Sequence, residues 1–404
     1  MTEVPGAALD GNDNAWFVDD YEQHDSAGEA MKVLVTGGAG FIGSRVARKL
    51  LQSGHEVTVL DSFSPQVHGG SSTLPDDLAS HVRLFHADVR DEHAWKVALE
   101  AQEGVVHLAA ETGTGQSMYQ VRHYADVNIQ GTSLLIEALL TGGHKIQTLV
   151  VASSRSIYGE GAYLCKEHGL VYPKARATES MKGGDFEPKC PACNCDVLAT
   201  ATKEEAPFRP CSFYGLTKQV QEQMSLMYAT ALGMNGFALR YQNVYGPGQS
   251  LKNPYTGILA IFSNQARANK PIYIFEDGKE SRDFVHVDDV VEATLRCVEA
   301  PAQAPVALNI GTGVPVTVLE VVKSIVDFFG SHSSVTVNGA FREGDIRHNY
   351  ADLGQLRITL GYEPSRRFAE GIREFLAWAA TQPLPRSSYE NSLDEMRQAG
   401  LMHG

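Results

Sequence analysis

Regular patterning begins near residue 31. Lys32–Thr36 (KVLVT) is a short apolar run of strand length, Phe41–Gln52 spaces its apolar residues as one face of a helix, and Val57–Leu60 (VTVL) returns to strand. Further strand-like runs fall at Val82–Phe85, Val105–Leu108 and Leu149–Ala152, with helical spacing at Asp91–Ala101 and Ala125–Leu140 between them. Short strands alternating with helices predict an α/β fold, a Rossmann-like doubly wound parallel sheet. From about 160 to 210 the rhythm breaks into a stretch rich in Cys, Pro, Gly and Lys. A helix resumes at Tyr214. Residues 31–240 therefore read as one domain carrying an insert at 160–210. Residues 241–382, less regular, read as a smaller substrate-binding lobe interleaved with it. Residues 383–404, with Pro383 and Pro385, read as a surface tail. Residues 1–30 hold eight acids and neither Lys nor Arg, and read as a flexible extension.

Composition narrows the function. A chain of 404 residues, 43% apolar, has room for two lobes around a large core. Its net charge of −14 argues against nucleic acid or a membrane surface, both polyanions, so an anionic small molecule would need a local gathering of arginines. No window approaches the ~18 apolar residues of a membrane span, and the N-terminus lacks a signal-peptide layout. A cytoplasmic location is expected.

Between the first strand and helix lies Gly37-Gly-Ala-Gly40-Phe-Ile-Gly43. Gly37 permits a tight turn, Gly40 lets backbone approach a pyrophosphate, and Gly43 lets helix and sheet pack closely. The anion then faces free N–H groups at a helix N-terminus. Asp61, ending the second strand, is placed to accept from a ribose 2′-hydroxyl and to repel a 2′-phosphate, which selects NAD over NADP. Asp88, in His-Ala-Asp-Val, is a candidate adenine contact.

This glycine spacing, with TGGAGFIGS, HLAAETG, ASSRSIYG, YGLTK, NVYGPGQ and RDFVHVDD, resembles the extended short-chain dehydrogenases/reductases, specifically the NAD-dependent sugar-nucleotide epimerases and dehydratases, over nearly all of residues 31–380. The resemblance implies that Phe41, Ile42, Val89, Leu108, Ala109 and Ala110 join the NAD site. Tyr214 and Lys218 are four apart on one helix face, so an ammonium beside the phenol is expected to favour the phenolate. Ser154, rather than Ser153, resembles the third catalytic member. Family dehydratases carry a carboxylate just after that serine, whereas this chain has Arg155-Ser156. Inversion at C4 needs only Ser154, Tyr214, Lys218 and a cofactor regenerated each cycle, so a 4-epimerase fits best.

Glu111 is expected near the nicotinamide, orienting a substrate hydroxyl or capping the next helix. Asn243, Arg282 and Arg347 resemble family positions that hold the diphosphate. The resemblance also implies a homodimer through the helices following Ala125 and bearing Tyr214. Cys165-x-x-His168 and Cys190-Pro-Ala-Cys193 have knuckle spacing and suggest a structural zinc site, with Cys195 as a substitute ligand and a loop of reduced thiols as the alternative. Among epimerases, the insert, HLAAETGTGQSMY and SSRSIYGEG most resemble the branch that interconverts dTDP-L-rhamnose and dTDP-6-deoxy-L-talose. A UDP-hexose or UDP-uronate epimerase, a dehydratase or 4-keto reductase, and a dinucleotide-binding sensor without turnover stay open.

Overall fold

The computed structural model describes residues 29–141, 143–253, 257–385 and 389–404. The expected acidic extension therefore lies outside the described residues, except for its last two. The centre is a seven-stranded sheet of β1 (Lys32–Thr36), β2 (Glu56–Asp61), β3 (Arg83–His86), β4 (Gly104–His107), β5 (Thr148–Ser154), β6 (Asn235–Tyr241) and β7 (Val306–Ile310). All pairings are parallel, in the order β7-β6-β5-β4-β1-β2-β3. Chain order reverses between β1 and β4, which opens a crevice beyond their carboxyl ends, where open α/β sheets bind ligands.

The strand runs are continuous because both faces are covered. Val33, Val35, Val106 and Val150 enter one apolar cluster, while Leu34, Val105 and Leu149 enter the other. Full burial of each such side chain contributes about 1.5–3 kcal/mol. On the first face α1 (Phe41–Gln52) buries Gly43, Val46, Ala47 and Leu50, the i, i+3, i+4, i+7 stripe its sequence predicts. On the second lie α2 (Gly131–Thr141) and α3 (Phe213–Leu232).

The second lobe gives elements back to the first. Beyond the 240/241 boundary, β7 completes the main sheet, and α4 (Val287–Val298) packs against α1. What stays in the smaller lobe is a mixed set of short strands at Asn243–Tyr245, Ser281–His286 and Pro315–Thr317. Helices Ile258–Arg267, Val318–Phe329 and Phe368–Thr381 close it around Phe262, Phe284, Ile325 and Phe375.

Two expectations need correction. The helix expected over Ala125–Leu140 starts as a π-helix, Ala125–Gln130, before α2 begins. The wider turn accommodates fully buried Asn128, whose side chain bonds the Glu111 backbone on both sides and Thr217 of α3. The C-terminal segment is not a surface tail. Tyr389–Gln398 is a helix, and Met402–His403 pairs antiparallel with Phe341–Arg342. Its anchor is a cluster of Met396, Met402 and Ala340 with Tyr119, Phe275 and Leu393, too sparse to read as periodicity in a polar stretch. No described helix is long and apolar enough to cross a membrane.

Candidate active site

A cleft of about 830 Å³ runs from the glycine loop, across the ends of β4 and β5, to the smaller lobe and the C-terminal helix. At one end Gly37, at φ 66°, turns the chain so tightly that a Cβ there would meet the Ala109 backbone nitrogen at 2.9 Å. A Cβ on Gly43 would lie 2.1 Å from the Gly37 carbonyl oxygen, so loop and helix can meet only through glycine. Gly40 differs: only that same carbonyl comes near, at 3.2 Å, and its outer side is open. It caps α1 with no side-chain bond, so the first N–H groups of a helix end that lines the cleft have no capping side chain. Those features fit a dinucleotide pyrophosphate.

Asp61 receives the Ala39 amide at 2.9 Å and the Phe63 amide at 2.8 Å, while His68 stands 3.5 Å away. Burial works against its charge, but hydrogen bonding by His68 and the two amides prevails and holds the carboxyl below its ordinary range. Asp88 also lines the cleft and accepts from Arg90 Nε and Nη2, one on each carboxylate oxygen. Phe41, Ile42, Val89, Leu108, Ala109 and Ala110 line the same wall.

In the middle of the cleft, Ser154 ends β5 and Tyr214 and Lys218 occupy the first turns of α3. The Ser212 side chain caps that helix through the Gly215 amide, and the Ser117 hydroxyl accepts from the Tyr214 amide at 2.9 Å. Tyr214 and Ser154 both line the cleft, and the serine beside the phenol favours its ionised form. The Ser156 hydroxyl donates to Ser154 at 2.9 Å. Ser153 is engaged elsewhere: its hydroxyl donates to Glu222, which pairs with buried Arg240. The two serines thus separate by partner.

Lys218 is held by β5 and by its own helix. Its ammonium donates to the Ala152 carbonyl at 2.8 Å and to Gln221 at 2.7 Å. Burial with no carboxylate partner pushes Lys218 down to about 7. Tyr214 moves the other way: burial raises it, and Ser154 and the charge of Arg155 only partly offset that.

The substrate end departs further from expectation. Asn243 and Arg282 line the cleft, and so does Glu111, whose carboxylate meets His123 at 3.2 Å. The short helix after Glu111 starts at Gly113 with no side-chain cap, so the capping alternative is not what the geometry gives. Arg347 is not brought to the cleft. It is fully buried, tied to Glu187 at 2.6 Å, Asp277 at 2.7 Å and Glu276 at 2.9 Å, and its charge is consumed inside the protein. Arg342 and Arg155 stand on the cleft wall instead. Arg155 donates to Asn243 at 2.9 Å, while one of its terminal nitrogens is buried with no partner. Burial first, then the neighbouring charge of Arg282, pulls it down to about 9. An under-compensated guanidinium beside a second one is a site for an anion. Reading Arg155 only as a missing acid hid this role; Arg342 had as much sequence signal as Arg347, five residues away in the same loop.

Comparison with known proteins agrees with this geometry. The family described as NAD dependent epimerase/dehydratase matches residues 33–179 and 193–311. A dTDP-L-rhamnose 4-epimerase of Burkholderia thailandensis is 38% identical over 356 residues, covering 88% of this chain and 96% of that protein. The crystal structure of a UDP-glucose 4-epimerase from Thermotoga maritima, with UDP-glucose, has a TM-score of 0.70 at 28% identity, covering 87% of this chain and 99% of that one. A UDP-glucose 4-epimerase of Thermus thermophilus, in complex with NAD, gives a TM-score of 0.68 at 27% identity, with 87% and 100% covered.

Proposed function

Because the chain belongs to the NAD dependent epimerase/dehydratase family, we propose that it is a 4-epimerase of a nucleotide-activated sugar, with dTDP-L-rhamnose and dTDP-6-deoxy-L-talose as its substrate pair. The glycine loop, Asp61, and the walls from Leu108 to Ala110 would hold NAD, which supplies a hydride acceptor and later the donor at the same carbon. The chain's own residues handle the proton. The phenol oxygen of Tyr214 takes the proton of the C4 hydroxyl while Ser154 holds that hydroxyl by a hydrogen bond; on the return, Tyr214 gives the proton back to the C4 oxygen. Arg155, Arg282 and Arg342 pair with the sugar-nucleotide diphosphate, with Asn243 keeping Arg155 in place.

The observation that carries this reading is that Ser154 and Tyr214 line one cleft with the glycine loop, with Arg155 and Ser156 where elimination would need a carboxylate. A 4,6-dehydratase lacks its proton-removing group here. The choice of base and sugar rests on the 38% identity with the dTDP-L-rhamnose enzyme over 88% of this chain. A UDP-hexose epimerase would use the same trio, so the test must separate them.

Proton NMR of dTDP-L-rhamnose incubated with the protein in deuterated buffer, without added cofactor, makes that separation. Conversion of the H4 couplings to those of the talo epimer, with no deuterium entering the ring, is the expected result. Conversion of UDP-glucose but not dTDP-L-rhamnose would keep the mechanism and replace the substrate. Deuterium at C3 or C5 would mean enolisation and overturn both.

A further inference from the structure

The insert between β5 and α3 folds as two hairpin tips that face each other. Strand Tyr163–Cys165 turns into Gly169–Val171 with Cys165 opposite Gly169, and Lys189 bridges Asp196 across the second tip. The first tip carries Cys165 and His168 and is closed by Gly169 at φ 65°. The second carries Cys190 and Cys193 and is closed by Asn194 at φ 59°. Each pair is thus followed by a left-handed residue that turns the chain back. The Cys190 amide also bonds the Cys195 carbonyl at 2.9 Å.

Four ligand atoms converge where the tips meet. Cys165 Sγ lies 3.7 Å from Cys193 Sγ and 3.6 Å from His168 Nδ1, and Cys190 Sγ lies 3.7 Å from that same nitrogen. All four atoms fall within 4.8 Å of one another. With Zn–S near about 2.3 Å and Zn–N near about 2.0–2.1 Å, tetrahedral edges are about 3.8 Å between sulfurs and about 3.6 Å between sulfur and nitrogen. A disulfide needs about 2.05 Å, so the pair at 3.7 Å is not one. Cys195, whose sulfur faces the Cys193 carbonyl, stands outside the quartet.

We infer that the insert holds a structural zinc ion through Cys165, His168 Nδ1, Cys190 and Cys193, and that this ion positions the substrate end of the cleft. Binding releases three thiol protons and fills all four positions, leaving none for chemistry. The insert's own core is Tyr163, Cys165, Val171, Cys190 and Val197, far too few side chains to order it unaided. From the second tip the chain reaches the cleft in two contacts. Phe186 packs on Phe341, which precedes Arg342, and Glu187 bonds Arg347, which bonds Glu276 of the cleft wall.

The metal is read directly and so stands or falls independently of the proposed reaction, on which only the comparison of KM values rests. Protein purified without chelator or metal affinity resin should contain about one zinc per chain by mass spectrometry. After the metal is stripped with a mercurial and the thiols are restored, Co(II) added alone should give the intense visible bands of a tetrahedral thiolate site. Less than a tenth equivalent of zinc, with no such spectrum, overturns the site. Cys193→Ser should lose the metal and raise KM for the nucleotide sugar at least tenfold, with kcat changed less than threefold. If that variant does not fold, the same comparison is made between stripped and Zn(II)-restored wild type. Equal KM in both forms would overturn the positioning role.

Discussion

Single side chains decide the chemistry. Tyr214→Phe keeps the ring and its packing but removes the group that moves the proton, so kcat should fall by about 10²–10⁴-fold. Bound NAD and the melting temperature should stay unchanged, and equal turnover would exclude the assigned role. Lys218 gives a second prediction through its burial. Its folded pKa sits at about 7, against 10.5 as the ordinary value. Between those limits the unfolded chain binds a proton that the folded chain refuses, so stability rises with pH across that window and the deficit is complete below it. Lys218→Met abolishes the deficit. The melting temperature of the variant relative to wild type should therefore climb as the pH is lowered from 10 to 7; a constant difference would mean that the ammonium is fully compensated. Arg155→Ala removes a guanidinium that has a terminal nitrogen to spare. A charge-assisted hydrogen bond is worth about 1.5–3 kcal/mol, so KM for the sugar nucleotide should rise roughly 10- to 100-fold. The glycine loop with Asp61 and the Tyr214–Lys218 pair were legible because their spacing reflects local geometry, whereas Ser154 was legible only through the family resemblance. Arg347 was misread because the carboxylates that claim it, Glu187, Glu276 and Asp277, come from segments 70 to 160 residues away. Sequence spacing does not reveal which charge will be neutralised in the fold.

At the scale of elements, the strands and α1 were readable because parallel strands buried on both faces give unbroken apolar runs and a one-sided helix gives a stripe. Two elements were not. The π-turn over Ala125–Gln130 is selected by the contacts of one buried asparagine, which leaves no period in the sequence. The C-terminal helix looks polar because only Ser392 and Met396 are buried, yet it covers the cleft, where Met396 Sδ lies 2.7 Å from where a Cβ on Gly115 would stand. Tyr389, Ser392 and Met396 all line the cavity. Met396→Asp puts a charge into that apolar contact and should detach the helix without touching the trio. Calorimetric affinity for dTDP should drop at least tenfold while NAD content holds. Unchanged affinity would make this helix a cover with no part in binding.

For the whole molecule, the doubly wound sheet could be read because each βα unit declares itself locally, whereas the return of β7 and α4 from the second lobe is a long-range event. The exposed surface of α3 raises the remaining question of assembly. Leu216 and Met227 are 42% and 59% exposed, and eleven positions along a 3.6-residue helix bring them to one side, with half-buried Val220 between them. On α2, which packs against α3, Leu140 is also 51% exposed. A chain of net charge −14 keeps its surface solvated by charge, and this apolar strip is out of character with it. A second copy meeting the same strip through a two-fold axis would cover all of it, because a two-fold interface presents one patch to itself. Sedimentation velocity at tens of micromolar should accordingly give a dimer for the wild type. Met227→Glu would set like charges close to the axis and should shift the protein to monomer with its far-UV dichroism intact. A wild type that sediments as a monomer would leave the strip to another partner. Since Tyr214 and Lys218 open the same helix, a dimer would also brace the catalytic turn, and the monomeric variant should show its loss first as a lower melting temperature.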